Sequence, residues 1–256
     1  MSIIAIFCLV LLNSVFNDLS RSEAPKKKLV KLAVDNGNSG SFVNDVDVFA
    51  ESKICLGLSR FDCVILFMLL LNVSTKGSIG VYETLTVHFA TSHFVEYNSA
   101  QAGLLVSSCG MVGVVALLLM KQIRRCLSDI QMIIWGIILM VIGSGMLVHF
   151  GHHEHFAKGR FETAIFLLYA VGYPVGHTAV IGLFSKIVGQ RPQGTLLGWF
   201  ASAGSLARIF FPIISGIIAE QMGNSFVFLA LMLVLTVSVV AVAITKQTLE
   251  ALSGQE

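Results

Sequence analysis

Apolar residues run almost without interruption through six stretches of the 256-residue chain, at 62–86, 101–120, 129–150, 163–188, 194–221 and 225–245. Each reaches the roughly 20 residues that a helix needs to cross the hydrocarbon core of a bilayer, and each ends at polar or basic residues. Hydrocarbon offers no partner to a backbone amide, so every N–H and C=O must bond within its own segment, and each stretch is predicted to be a helix. The fourth and fifth are long enough to tilt or bend. Residues 2–16 form a shorter apolar run. No basic leader precedes it and no small-residue cleavage site follows; the basic residues, Arg21 and Lys26 to Lys28, come after it. That order argues against a signal peptide, and residues 1–17 read as the end of a preceding helix or a short anchor. The connector 18–60 is rich in Asp, Asn, Ser, Gly and Lys, and around Asp35–Ser41 its polarity predicts disorder. A six-helix lobe at 61–246 and a short polar cytoplasmic tail at 247–256 complete the expected plan.

Composition sharpens the picture. The chain is 55% hydrophobic and 12% charged, where a soluble domain carries about 25% charged residues. So few charges cannot cover a surface facing water, and the bilayer is the expected solvent. Lys and Arg then set the orientation. With six spans, one side receives Arg21, Lys26, Lys27, Lys28, Lys31, Lys53, Arg60, Lys121, Arg124, Arg125, Lys186, Arg191 and Lys246, while the other receives only Lys158 and Arg160. The heavily basic side is assigned to the cytoplasm. Adding or removing one span would scramble this asymmetry.

Two basic residues, Lys76 and Arg208, remain inside spans. An ionisable group at that depth is costly and normally faces a bundle interior or a water-filled cavity. Lys76 and Glu83 in the first span, His177 in the fourth and Arg208 in the fifth are therefore the candidate pathway residues. The centres of the second, third and sixth spans carry none. Two triplets of helices thus each open with a polar span, the pattern expected of a 3+3 repeat in which the first helix of each triplet lines the pathway. Asn72, Lys76, Gly80 and Glu83 recur every three or four residues and share one helix face. Lys76 and Glu83 lie about 10 Å apart along the axis, so water, a solute or charges from other helices are expected between them. Two readings of this stripe stay open: Lys76 attracts an anion while Glu83 takes a proton or sets gating, or the charges are structural, as a network or with Lys76 snorkelling to an interface. Arg208 suits either an anion or a carboxylate partner such as Glu83, because guanidinium is always charged and binds bidentately. His177 follows Gly172, Pro174 and Gly176, which weaken helix regularity; it reads as a proton-coupling group at a bend or as a hydrogen-bonded packing histidine.

Other signals are weaker. Gly194, Gly198 and Ser202 form a row of small residues, as do Gly172 and Gly176; such rows let helix backbones approach closely in membranes. The loop His152-His153-Glu154-His155 lacks zinc-protease spacing and reads as an exposed polar loop. Lys26 to Lys28 read as a topology determinant, with anionic lipid as the other possibility. Asn72-Val73-Ser74 matches a glycosylation acceptor but falls within a span. The five cysteines, Cys8, Cys55, Cys63, Cys109 and Cys126, are scattered without metal or redox spacing. No paired carboxylates, Ser/His grouping or metal ligand set supports an enzyme. Neither a cofactor nor a metal is expected, and a net charge of +2 gives no reason to expect nucleic acid.

The segment Gly172–Gly216, GYPVGHTAVIGLFSKIVGQRPQGTLLGWFASAGSLARIFFPIISG, resembles the lysosomal major facilitator proteins associated with neuronal ceroid lipofuscinosis. Val81–Leu85, VYETL, is similar to an acidic motif in the seventh helix of that family, and the basic loop Lys121–Asp129 is compatible with its cytoplasmic loop between helices eight and nine. The specific part lies in the fourth and fifth spans; the rest agrees in order and polarity. The resemblance implies an all-α, C-terminal six-helix lobe corresponding to helices seven to twelve, with residues 1–17 ending helix six. It implies that Glu83 and Arg208 occupy motif positions, whereas His177 has no evident counterpart. It also implies an endolysosomal membrane and movement of chloride or another small anion. The chain departs from the family in lacking the N-terminal lobe, in a shorter loop between the third and fourth spans, and in having no acidic dileucine motif. The expectation is therefore the C-terminal half of a solute carrier, as a truncated product, a homodimer or a companion of a related membrane protein. The competing expectation is a non-transporting half that regulates a full-length transporter.

Overall fold

The computed structural model describes residues 60–94, 98–148, 158–189 and 193–254. They form helices α1 (Arg60–His93), α2 (Ser99–Leu118), α3 (Met120–Cys126), α4 (Asp129–Leu147), α5 (Lys158–Phe166), a π-helical stretch (Leu167–Gly172), α6 (Tyr173–Val188), α7 (Gln193–Met222) and α8 (Asn224–Ser253). No strand occurs among the described residues. Six helical spans are long and apolar enough to cross a membrane, with α5, the π stretch and α6 joined into one, Lys158–Val188. The protein is an all-α, multi-pass integral membrane protein, and lipid is its solvent.

The chain divides into two compact units at Met68/Leu69, and the first contributes only the opening turns of α1 to the described residues. In the second, α4 is the central element, packed against α8, α6 and the π stretch. Its buried residues Ile133, Gly136, Ile137, Met140, Gly143, Ser144 and Leu147 recur at three and four, which places them on one stripe. The glycines in this stripe set how close the neighbours come. A Cβ added to Gly136 would overlap the Gly176 backbone and lie 2.9 Å from the Gly172 carbonyl. Gly172 and Gly176 thus lie in close contact with α4. Toward the ends of the spans that carry Lys158 and Arg160 the core is aromatic. Tyr82 stacks on Phe228 with centroids 6.2 Å apart, and Phe89 meets Phe228 edge-on at 5.7 Å and Phe161 at 5.9 Å.

Local signals fix the helix ends. Asn98 and Gln101 form a reciprocal capping box at the start of α2, and Ser128 and Gln131 form another at α4. Each satisfies two backbone donors that a helix start leaves open. Three boundaries differ from the hydropathy reading. The basic loop 121–128 is mostly the short helix α3. The fourth span opens at Lys158 rather than 163, and the Arg160 guanidinium donates to the Val148 carbonyl at 3.1 Å. The sixth helix does not stop at 246: Lys246 and Glu250 pair at 3.7 Å one turn apart, and Gly254, at φ 64°, supplies the left-handed cap. The expected segments 1–17 and 18–59, Lys26 to Lys28, the His152–His155 loop and Arg191 lie outside the described residues.

Candidate functional site

The polar stripe of α1 lies on α7. Contacts climb both helices together: the Asn72 amide donates to the Phe200 carbonyl at 2.6 Å, Lys76 and Asn72 cover Gly204, and Gly80 faces Arg208. The two helices therefore run parallel, as the first and fifth spans of an alternating bundle must. Small residues make the approach possible. A Cβ on Gly204 would overlap the Lys76 stem and sit 2.8 Å from the Asn72 amide nitrogen, and one on Gly80 would lie 3.3 Å from the Arg208 Cα.

This seam brings four of the sequence-derived candidates together. The Arg208 guanidinium donates to the Glu83 carboxylate, both partly exposed. Lys76 forms no hydrogen bond or ion pair among the described residues, although its charge lies within electrostatic reach of Arg208. The Asn72 side chain is fully buried and clamps α1 to the α7 backbone. His177 enters from α6, also buried. Its Nδ1 is 3.4 Å from the Thr75 hydroxyl, and its ring stacks on Tyr173 with centroids 5.1 Å apart. Lys76 and Arg208 are the charged groups in reach of it.

Sequence reasoning missed several members of this cluster. Thr75 adjoins Lys76 and anchors His177. Tyr173 precedes His177 by four residues, a spacing that puts two rings on one helix face and was readable as a stack. Tyr169 lies in the π stretch, within reach of Glu83 and beside Thr86 on α1, and its hydroxyl is buried. Stretches of π-helix are rare and are frequently found at functional sites; this one leads directly into Pro174, whose missing N–H adds a further break in the hydrogen-bond ladder.

One expectation fails. Gly194 and Gly198 have nothing within 4 Å of an added Cβ, so they pack against no other helix among the described residues. Their face of α7, with Trp199, Ile209, Phe210 and Ile213, is exposed, as are Leu104, Met111 and Leu118 on α2. A buried charge cluster where Arg124, Asp129 and Lys186 meet also went unread. Asp129, 3% exposed, accepts from Lys186 at 2.5 Å and lies 3.5 Å from Arg124. Its place at the first turn of α4 suits a carboxylate, since that end of a helix carries partial positive charge.

No family model and no solved structure matches the chain. Curated relatives do. Over 62 residues, 24% of this chain and 12% of the relative, it is 39% identical to "Major facilitator superfamily domain-containing protein 8" of Xenopus laevis. Over 213 residues, 79% of this chain and 42% of the relative, it is 26% identical to an uncharacterized MFS-type transporter of Schizosaccharomyces pombe. Both relatives carry major facilitator names, which supports that superfamily for this chain. The matched segment spans less than half of each relative's length. The candidate residues occupy the first, fourth and fifth spans.

Proposed function

We propose that this chain forms one six-helix half of a carrier moving a small anionic solute across a membrane, with Lys76, Glu83 and Arg208 on the pathway. One observation carries the reading. A carboxylate–guanidinium pair and a second, unpaired cation sit on one helix seam inside spans that are otherwise nearly free of charge. On insertion scales a single Arg, Lys or Asp at mid-span costs about 2.5–3.5 kcal/mol, so three such groups are untenable against lipid and call for an aqueous cavity. Two positive charges against one negative leave that cavity cationic, which favours an anion. The Glu83–Arg208 pair holds Arg208 in place while Lys76 is free to meet the solute. Chloride and an endolysosomal membrane are suggested by the resemblance in the fourth and fifth spans.

Alternating access requires a second lobe to rock against this one. The bare faces of α2 and α7 are the place for it, whether it is an N-terminal lobe, a second copy of this chain or a related membrane protein. The same faces favour the competing reading, a non-transporting half that docks on a full-length relative. Reconstitution separates the two. The carrier reading expects anion flux that falls at least tenfold in Glu83→Gln/Arg208→Gln, in protein that remains monodisperse. Unchanged flux in that double variant would overturn it. Absence of flux alone, with stable crosslinking to a co-expressed relative, would establish the docking reading.

A further inference from the structure

The corner formed by Asn72, Lys76 and His177 holds two buried polar atoms with no hydrogen-bond partner among the described residues, Asn72 Oδ1 and His177 Nε2. Their chemistry follows from their neighbours. The Asn72 amide orientation is fixed, because only its nitrogen can donate to the Phe200 carbonyl at 2.6 Å. The oxygen left over is an acceptor. The Thr75 hydroxyl has one proton. With that proton on the Leu71 carbonyl at 3.0 Å or the Asn72 carbonyl at 3.2 Å, the hydroxyl accepts from His177 Nδ1 at 3.4 Å. In that tautomer of the neutral ring Nε2 is a lone pair, a second acceptor. Asn72 is 0% exposed and His177 7%, and a buried acceptor left unmet is destabilising. The Lys76 stem lies beside the Asn72 carboxamide over Gly204, and Thr75, which holds His177, is its neighbour in the chain.

A bare anion brings no hydrogen to these acceptors. We infer that the corner receives a hydrogen-bond-donating group of the solute, so that the substrate is an organic anion bearing a hydroxyl or amino group beside its acidic group. The acidic group meets Lys76 and Arg208; the donor meets Asn72 Oδ1 and His177 Nε2. This rests on the anion-carrier reading and narrows it away from chloride.

Matched ligand pairs test it in the purified full chain. Ligand-induced thermal shifts at constant ionic strength would give apparent affinities for propionate against lactate and succinate against malate, which differ by one hydroxyl, and for chloride. The expected result is binding about tenfold or more tighter for the hydroxylated member of at least one pair, the worth of one good hydrogen bond. His177→Phe, which keeps an aromatic ring on Tyr173, would reduce the affinity ratio within each pair to less than twofold. Asn72→Leu would do the same if it folds; the wild-type comparison and His177→Phe decide the matter without it. Lys76→Met would weaken every anion. Equal affinity within both pairs, with the acceptors met by water only, would overturn the inference and leave the anion reading standing. Failure of every anion to bind would overturn both.

Discussion

The contact between α4 and α6 makes a sharp prediction, because its two glycines are not equivalent. A methyl group added at Gly136 would overlap the Gly176 Cα and lie 2.6 Å from the Gly176 nitrogen and 2.9 Å from the Gly172 oxygen. All three are backbone atoms, so no rotamer change relieves them. Restoring ordinary contact requires the helices to part by about 0.5–1 Å, a gap that forfeits a quarter to a half of the dispersion energy along the seam. Overpacking of this kind costs about 1–3 kcal/mol. At Gly176 an added methyl meets its first atom, the Gly136 Cα, at 3.2 Å, and a shift of a few tenths of an ångström suffices. Both substitutions gain the same helix propensity, about 0.5–1 kcal/mol, which cancels in the comparison. Gly136→Ala is therefore expected to be less stable than Gly176→Ala by about 1–2 kcal/mol, or a difference in Tm of about 2–8 °C for a chain of this size. Thermal unfolding of the two variants in the same detergent, followed by loss of the monodisperse peak, measures it. Equal destabilisation, or a larger loss for Gly176→Ala, would refute the reasoning.

Two further outcomes are expected. Lys186→Met leaves buried Asp129 with Arg124 at 3.5 Å as its remaining cation among the ion pairs described; because both cations are partly solvated, the loss should be about 1–2 kcal/mol rather than the larger figure for a fully buried pair. Adding Asp129→Asn should restore more than half of that, and a double variant less stable than the single would contradict the account. In single-cysteine proteins, a membrane-impermeant maleimide applied from the basic side should label exposed Cys126 and spare buried Cys109; labelling of Cys126 from the opposite side would invert the orientation drawn from the lysine and arginine count.

Much of the fold was legible because the bilayer imposes one rule at a time. Hydrocarbon forbids irregular lipid-facing backbone, so the long apolar runs had to be helices, and their number and order emerge directly. Where polar residues took over, hydropathy stopped informing. Residues 247–253 remain helical through an i,i+4 ion pair and a glycine cap, and α3 forms from the amphipathic MKQIRRC, whose charges had suggested a loop. In the candidate site, charge scarcity singled out Lys76, Glu83, His177 and Arg208. It could not single out Thr75, Tyr173 or the Phe200 carbonyl, since a threonine, a tyrosine and a backbone oxygen within a span carry no signal until a neighbour approaches. Gly194 and Gly198 illustrate the opposite error. Spacing identifies a groove on a helix but does not say whether the partner that fills it belongs to the same chain.

The π-helical stretch Leu167–Gly172 has a consequence for comparing this chain with its kin. Widening a helix to accommodate a surplus residue turns everything beyond it by about 100°. Phe161 on one side of the stretch addresses Phe89 of α1, while Phe184 on the other stacks on Phe200 of α7 at 4.5 Å. A homologue one residue shorter here would keep its span yet swing Tyr173 and His177 out of register with Thr75. Gaps that fall at 167–172 in an alignment therefore mark rotations of the face that carries Tyr173 and His177, and they offer a way to sort relatives by the geometry of that face.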